Sequence, residues 1–310
     1  MSEPPTLSIG LPVRNGEPYL GRTLACLAHQ EFADVEVLIA DNGSTDATED
    51  IARAAAAADP RIRYVRHDRD IGASANFNFV FTNTTGEFFA WLAADDEFDP
   101  RFYRRMVELL RVRPEAAAAM SRVRIIDSNG ETLEYADEPI NADVQDPVRR
   151  FSEMASFRHY CQYSFAVARR QAMERTRLLL PFWSSDRLYC AELALAGPLV
   201  RDPEPLFFIR QHEARVTKRA GRNDWEVIRF YLTPAGSRAV TLHYARQLRA
   251  AIERADLSSD DRRRAYRALG SWTVYNAPKL ARSLGRATLE AVTRPYAEAR
   301  ARAGEAGSVR

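Results

Sequence analysis

An α/β fold, with a mostly parallel sheet, flanking helices and a helical C-terminal region, is what the sequence predicts, and three observations carry it. Through about the first 130 residues short β-type runs alternate with helical stretches, the pattern of strands joined by covering helices. Those runs are apolar almost throughout, as strands buried on both faces of a sheet must be. Beyond Asp224 the sequence becomes nearly all helical in character, with weak apolar periodicity and many arginines.

The elements follow in order. Leu7–Val13 (LSIGLPV) is the first strand, and residues 19–30 form a helix. Residues 35–40 (VEVLIA) are a second strand running into DNGSTDATED, where Asp46 is expected to cap a helix and Glu49, three residues on, to reach back in a capping box. Residues 62–66 make a third strand, 74–83 a helix, 88–93 a fourth strand, and 100–113 a helix with Pro100 in its first turn. From Ala117 the rhythm changes: a strand over 120–127, a turn at SNGE, acidic loop-like sequence to about Asp146, a helix over 147–156, a strand over 164–168 and a helix opening at Ser185. The expected organisation is an α/β domain over 1–220, in two halves that divide at about 115, then a helical region over 221–310.

Composition narrows the function. With 310 residues, 46% hydrophobic and 28% charged, the chain can bury a large core and is not a disordered one. Cys26, Cys161 and Cys190 are odd in number and lack C-x-x-C spacing, which argues for a reducing compartment and against a structural zinc. The N-terminus has no basic-then-apolar leader and no run approaches the roughly 18 apolar residues of a membrane span, so a cytoplasmic location is expected. Residues 246–310 carry 14 Lys/Arg against 7 Asp/Glu, a net +7 that leaves −5 for the rest of a chain of net charge +2. The helices of the C-terminal third, with Trp225, Phe230, Tyr231, Trp272 and Tyr275 among them, could lie peripherally on an anionic membrane or pack on the α/β domain, and packing is favoured. The balanced overall charge and the lack of any recognition module argue against nucleic acid.

Ligands of open parallel sheets bind beyond the carboxyl ends of the strands. Here the first strand exits into Pro12-Val13-Arg14-Asn15-Gly16, the second into Asp41-Asn42-Gly43-Ser44, the third into His67-Asp68-Arg69-Asp70-Ile71-Gly72, and the fourth into Asp95-Asp96-Glu97. Three acidic ends on one rim repel each other unless a cation or hydrogen-bonding ligand offsets them.

IGLPVRNGEPYLGRTLACLAHQ, VEVLIADNGSTDAT, RDIGASANFN and GEFFAWLAADDEFDP, in this order and spacing, resemble the family 2 nucleotide-sugar glycosyltransferases of GT-A fold. The likeness runs from Leu7 to Pro100 and resumes between Trp183 and Thr217. It implies a Rossmann-like sheet in which the backbone of Pro12, Val13 and Arg14 meets the base, Asp41 accepts hydrogen bonds from base or ribose beside Gly43, and Asp70 and Gly72 lie against the nucleoside. Glycine at position 72 permits close backbone approach. The acidic run falls on the family's D-x-D position: Asp95 would bind Mg2+ or Mn2+ bridging the diphosphate, and Asp96 would support it or face the sugar. Ala93 stands where the first acid usually stands and cannot hydrogen-bond ribose. Hard cations bound to phosphates need only one or two protein carboxylates.

PFWSSDRLYCAELALAG resembles the family's segment beneath the acceptor, with Asp186 in the place of the catalytic base and Ser185 replacing a common Glu; an N-cap carboxylate is the plainer alternative. Leu188, Ala191 and Leu195 give that helix a buried face. Trp183 would be a wall for a sugar ring or a core residue. PLFFIRQHEARVTK resembles the R-x-H segment, with His212 as a further metal contact and Arg210 or Arg215 on the diphosphate. The resemblance implies an inverting enzyme moving a sugar from a nucleotide diphosphate donor, a UDP- or dTDP-sugar, to a hydroxyl acceptor. Two rival readings are a sugar-phosphate nucleotidyltransferase, for which LPVRNGEPYL carries only Arg14 and Gly16 as phosphate-loop residues, and a non-catalytic sugar-nucleotide-binding protein.

Overall fold

The computed structural model describes residues 4–136, 140–156, 161–213 and 240–282. It opens with β1 (Leu7–Val13), α1 (Glu17–His29), β2 (Val35–Asp41), α2 (Thr48–Ala58), β3 (Ile62–Arg66), α3 (Ala73–Thr82) and β4 (Phe88–Trp91), the expected alternation. A two-residue β5 (Glu97–Phe98), α4 (Phe102–Val112), β6 (Ala118–Ile126), β7 (Thr132–Ala136) and α5 (Pro147–Ala155) come next. A 3-10 turn (Gln162–Phe165), β8 (Val167–Arg169), α6 (Arg170–Glu174), α7 (Ser185–Ala196), β9 (Leu199–Arg210), α8 (Val240–Arg254) and α9 (Ser259–Tyr275) complete the described elements.

The strands form one mixed, mostly parallel sheet in the order β3-β2-β1-β4-β8-β6-β9-β5, with β7 also on β6. β3, β2, β1 and β4 are mutually parallel, β8 is antiparallel to both β4 and β6, and β9 is parallel to β6. Six strands therefore point their carboxyl ends at one rim: β1, β2, β3, β4, β6 and β9. β5 runs antiparallel to β9 with Glu97 opposite Phe208, and this return strand folds the chain after β4 back across the end of β9.

The core reflects the apolar runs. β1 is buried at every position and β2 at all but Glu36, whereas β3, an edge strand, buries only Ile62. α1 buries Leu20, Thr23, Leu24 and Leu27, the i, i+3, i+4, i+7 stripe of a surface helix. Gly10 lets α3 approach β1 closely: a Cβ there would stand 2.4 Å from Val80 Cγ2 and 2.7 Å from the Phe89 ring. Several short elements, among them β5, β7 and α6, were not anticipated. β7 lies in the stretch expected to be loop, and its exposed Thr132, Leu133, Glu134 and Tyr135 give no periodic apolar signal. β9 runs on through Pro203 and Pro205, which break its register against β6 twice, and prolines in strands are tolerated at such irregularities.

The capping box expected at Asp46 and Glu49 does not form. Asp46 Oδ1 accepts the Thr48 amide and hydroxyl, while its Oδ2 accepts the Glu17 amide at 3.1 Å. Glu17 in turn accepts the Ala47 amide, so the starts of α1 and α2 cap each other across the sheet. Glu49 is engaged with Arg53 and Arg66 instead.

α8 and α9 pack on α5 and α7. Tyr244, Leu248, Ile252 and Ala265 are fully buried in the common core, and Trp272 Nε1 and the Tyr244 hydroxyl both donate to the Ala155 carbonyl. Arg177 is held by Glu192 of α7 and by Gln247 of α8. The expected boundary near residue 220 lies outside the described residues, as do Arg215, Trp225, Phe230 and Tyr231. Among the described residues no helix is long and apolar enough to cross a membrane.

Asp146 caps α5 by accepting the Val148 and Arg149 amides and pairs with Arg264 of α9. Its burial would raise the carboxyl, but the Arg264 hydrogen bond and the two amides outweigh that and hold it below its usual value. A lowered folded-state pKa means that this stabilisation is present above the ordinary carboxylate range and is lost as pH falls through the lowered value. Replacing Asp146 by Ala is expected to cost about 1 kcal/mol from the cap and to flatten the acid limb of a stability–pH profile followed by urea denaturation.

Candidate functional site

The rim at the carboxyl ends of the parallel strands is cross-braced at its β1–β2 end. Asn15, at φ 53°, donates its amide to Ser44 Oγ at 2.9 Å and accepts the Thr45 amide on Oδ1; Gly16 donates its amide to Thr48 Oγ1. The third strand's exit joins them. Asn42 Nδ2 donates to Asp70 Oδ1 at 2.6 Å, Asn42 Oδ1 accepts the Ile71 amide, and Arg14 Nη1 meets Asp70 Oδ2 at 2.8 Å. Gly43, at φ 68°, lies against the backbone of Arg69 and Asp70, where a Cβ would sit 3.2 Å from the Arg69 carbonyl carbon. The predicted nucleoside residues Pro12, Val13, Arg14, Asp41, Gly43, Asp70 and Gly72 thus converge from three loops.

Asp41 departs from its expected role. Its side chain is fully buried, Oδ1 accepts the Ser44 amide at 2.8 Å, and Oδ2 accepts the Tyr64 hydroxyl at 2.8 Å with Arg66 nearby. Burial, and then the hydrogen bond to Asp41, push the Tyr64 phenol above its ordinary value, so it stays a proton donor to that carboxylate. Asp41 shapes the turn from beneath and does not face the cleft, because the rim's own donors occupy it.

At the other end Arg210 organises the acidic run. Its guanidinium is fully buried; Nε donates to the Asp95 carbonyl at 3.0 Å, Nη1 to the Asp127 and Ser128 carbonyls, and Nη2 to the Glu97 carboxylate. The Arg210 amide donates to Asp96 Oδ1 at 3.0 Å. The Thr23 hydroxyl, from α1, reaches the carbonyls of Ala94 and Asp96. Arg210 was expected on the diphosphate; a head group already spent on buried carbonyls and Glu97 is a brace instead. Asp96, which accepts the Arg210 amide, is 1% exposed.

This bracing presents Asp95 to His212. The antiparallel β5–β9 register brings the residues just before β5 beside those just after β9, and His212 Nε2 lies 2.9 Å from Asp95 Oδ2. Both are only partly buried. The Tyr19 ring packs on both partners of this corner, 4.7 Å from the His212 ring and 4.9 Å from the Arg210 guanidinium. Among the described residues no group of three or more His, Cys, Asp or Glu side chains gathers to cage an ion. One carboxylate oxygen and one imidazole nitrogen suit a divalent cation that takes its remaining oxygens from phosphates, which is how Mg2+ and Mn2+ are commonly held.

Asp186 occupies the first turn of α7 and is exposed. The cap position is Ser184, at φ 74°, and Asp186 Oδ1 accepts only the adjacent Arg187 amide, so the plain N-cap alternative does not describe it. α7 buries Leu188 and Ala191 as expected, and also Tyr189, Cys190, Leu193 and Ala194, while Leu195 is half-buried. Trp183 is half-buried beside it.

Tyr19, Thr23, Tyr64, Asn42 and Glu97 hold this rim; the first three were not singled out from the sequence, and Asn42 and Glu97 appeared there only as members of strand exits. Thr23 and Tyr64 sit where a helix face and a strand need only a filler, so periodicity hides their polar work. Glu97 was visible in the acidic run, but its partner lies 113 residues away.

A parallel α/β sheet with a braced loop cluster at one end of its rim and a phosphate-suited Asp–His pair at the other defines a candidate nucleotide-binding protein of the open-sheet class. The chain belongs to glycosyl transferase family 2, whose model matches residues 8–176. An uncharacterised glycosyltransferase of Nostoc sp. is 31% identical over 131 residues, covering 42% of this chain and 40% of that protein. The matched stretch thus spans less than half of that relative's length. Among solved structures, S. aureus TarS 1-349 in complex with UDP-GlcNAc is similar at a TM-score of 0.61 and 14% identity over 90% of this chain and 80% of that one. A mannosyltransferase from Pyrobaculum calidifontis in complex with GDP-Man and Mn2+ is similar at a TM-score of 0.57 and 17% identity, over 100% of this chain and 82% of that one. At such identities these structures speak to the fold.

Removing one partner of a buried ion pair strands the other, which typically costs about 3–5 kcal/mol. Arg210→Ala is expected to lower unfolding stability by that order in urea denaturation, and Thr23→Val, which deletes one hydroxyl donor shared between two carbonyls but no charge, by clearly less.

Proposed function

We propose that this protein is an inverting glycosyltransferase that uses a divalent cation, Mg2+ or Mn2+, to transfer a sugar from a UDP- or dTDP-sugar to a hydroxyl acceptor. The single observation carrying the reading is the Asp95–His212 pair, Oδ2 to Nε2 at 2.9 Å, at the carboxyl ends of the strands and in one rim with the nucleoside loops. Membership of glycosyl transferase family 2 supports the reaction class. UDP-GlcNAc in one structural neighbour, and GDP-Man with Mn2+ in another, support a nucleotide-sugar donor and a metal.

Asp95 and His212 would hold the cation, which, when bound, neutralises charge on the departing diphosphate. The chain's own part is positioning and proton transfer. Arg210 fixes the Asp95 backbone from below, and the Tyr19 ring limits the freedom of the His212 imidazole, so the pair is set before any ligand arrives. The loops at Pro12–Arg14, Gly43 and Asp70–Gly72 would receive the nucleoside. Asp186 has an exposed carboxylate at the start of a helix that is otherwise anchored in the core, and would take the acceptor hydroxyl's proton as that oxygen bonds to the anomeric carbon. The bond from the anomeric carbon to the diphosphate oxygen breaks on the opposite face, which inverts the centre. Asp41 and Arg210 have no ligand contact in this scheme.

Asp95→Ala and His212→Ala should each abolish the Mn2+-dependent rise in melting temperature on adding UDP or dTDP, a rise that reports binding to the folded state. Asp186→Asn should reduce sugar transfer by about 10²–10⁴-fold, the usual worth of a positioned base, and leave donor binding within twofold in the same thermal-shift titration. Equal slow donor hydrolysis by wild type and Asp186→Asn, with no transfer to any acceptor, would instead favour a binding protein.

A further inference from the structure

α9 has two unlike sides. Ala265, Leu269, Trp272 and, just past the helix end, Asn276 turn toward the core; Ala265 and Asn276 are buried, and Trp272 donates to the Ala155 carbonyl of α5. Each helical residue turns about 100°, so Val274, further along α9, lies diametrically opposite Ala265. Arg263 and Arg267 fall within about 20° of that outer line, and Tyr266 and Tyr275 flank it on either side. Exposure agrees with the geometry: Val274 is 76% exposed, Tyr275 73% and Tyr266 37%.

Charge is the second observation. From Arg262 to Arg282 the chain carries six cationic residues and no Asp or Glu. Arg262 is spent on the Glu253 and Ala255 carbonyls, and Arg264 on Asp146 and Asp261. The other four, Arg263, Arg267, Lys279 and Arg282, are exposed. Arg263 meets only the exposed Asp260, and neither Arg267 nor Arg282 meets a carboxylate among the described residues. Helical chain over 277–282 carries the last two cations beyond Tyr275.

We propose that the outer face of α9 is a docking surface for an anionic lipid bilayer, held by Arg263, Arg267, Lys279 and Arg282 and seated at headgroup level by Val274, Tyr266 and Tyr275. Packing and membrane contact, alternatives for the sequence, then fall to opposite sides of one helix. A phenol has an apolar body and a polar tip, which suits the boundary between headgroups and acyl chains, and basic side chains close to an anionic leaflet are drawn to it. A soluble polyanion such as nucleic acid uses the charges but gains nothing from an exposed aliphatic side chain among them, so Val274 favours the lipid surface. No described helix can cross a bilayer, so the contact is peripheral.

The test is co-sedimentation of the full chain, without donor or metal, with vesicles of phosphatidylcholine alone and of phosphatidylcholine mixed with phosphatidylglycerol in equal parts. Partitioning should be at least about tenfold stronger on the anionic vesicles and should weaken as salt is raised. Arg267→Glu with Arg282→Glu should cut it at least about tenfold. Arg53→Glu with Arg111→Glu, the same charge change on α2 and α4, should leave it within about twofold, because charges more than a screening length from the bilayer contribute little. Val274→Ser with Tyr275→Ser should cut it several-fold at unchanged charge. All these side chains are exposed, and thermal unfolding without vesicles checks that each variant folds. Equal partitioning on the two kinds of vesicle, or equal loss in the two charge-reversed variants, overturns the proposal. Undiminished binding by the serine variant marks a surface open to any polyanion and overturns it as well. None of these outcomes bears on the transferase reading, which is tested by donor binding and sugar transfer.

Discussion

A guanidinium with no exposure to solvent holds this rim together. Arg210 ends β9, yet its guanidinium makes four hydrogen bonds, to the chain before β5, to Glu97 and to the loop after β6. Desolvating a charge is expensive unless every donor is satisfied, so the carbonyls of Asp95, Asp127 and Ser128 must point inward to meet it. Asp127 accepts the amides of Asn129, Gly130 and Glu131, which tightens the turn that supplies two of those carbonyls. The Asp95 carbonyl is fixed beneath, and its carboxylate is left turned toward His212.

The two ends of the rim are built on different principles. The β1–β2 end is neutralised locally: amides and hydroxyls from neighbouring loops fill Asp41 and half of Asp70, and Arg14 covers the remainder. The β5–β9 end keeps one carboxylate oxygen beside an imidazole, where a cation or a proton relieves the negative charge. Asp186 belongs to neither end. It rides on α7, whose nearly complete burial gives a rigid mount, and the pairing of Arg177 with Glu192 and Gln247 ties that mount to α8. The basic C-terminal region, over its described part, serves as packing for the catalytic sheet and its helices.

The fold was legible because its signals are local. Continuous apolar runs and turn residues such as Asn-Gly mark strands and their exits without reference to the rest of the chain, and the resemblance, carried by linked motifs in fixed order, pointed to the same strand ends. Most of the misreadings share one cause. The cross-caps at Asp46 and Glu17, the Tyr64 hydroxyl on Asp41 and the buried Arg210 are decided by partners distant in sequence, whereas β7 pairs with its neighbour β6 and was missed because it has no periodic apolar signal.

From the sequence alone came the strand order along the chain, the rim on which the polar ends gather, and the candidates Asp95, Asp186 and His212. Residue type and spacing suffice for the strands and the rim, since strand burial and exit chemistry are properties of short segments; the three candidates came from the resemblance. Only the tertiary structure decided which polar groups remain available. It gave the atoms of Asp41 and Arg210 buried partners, and it set Asp70 opposite Arg14. A hydrogen-bonding atom can be spent once, and where it is spent depends on the sheet register and loop contacts that bring 113 residues of separation down to one ion pair.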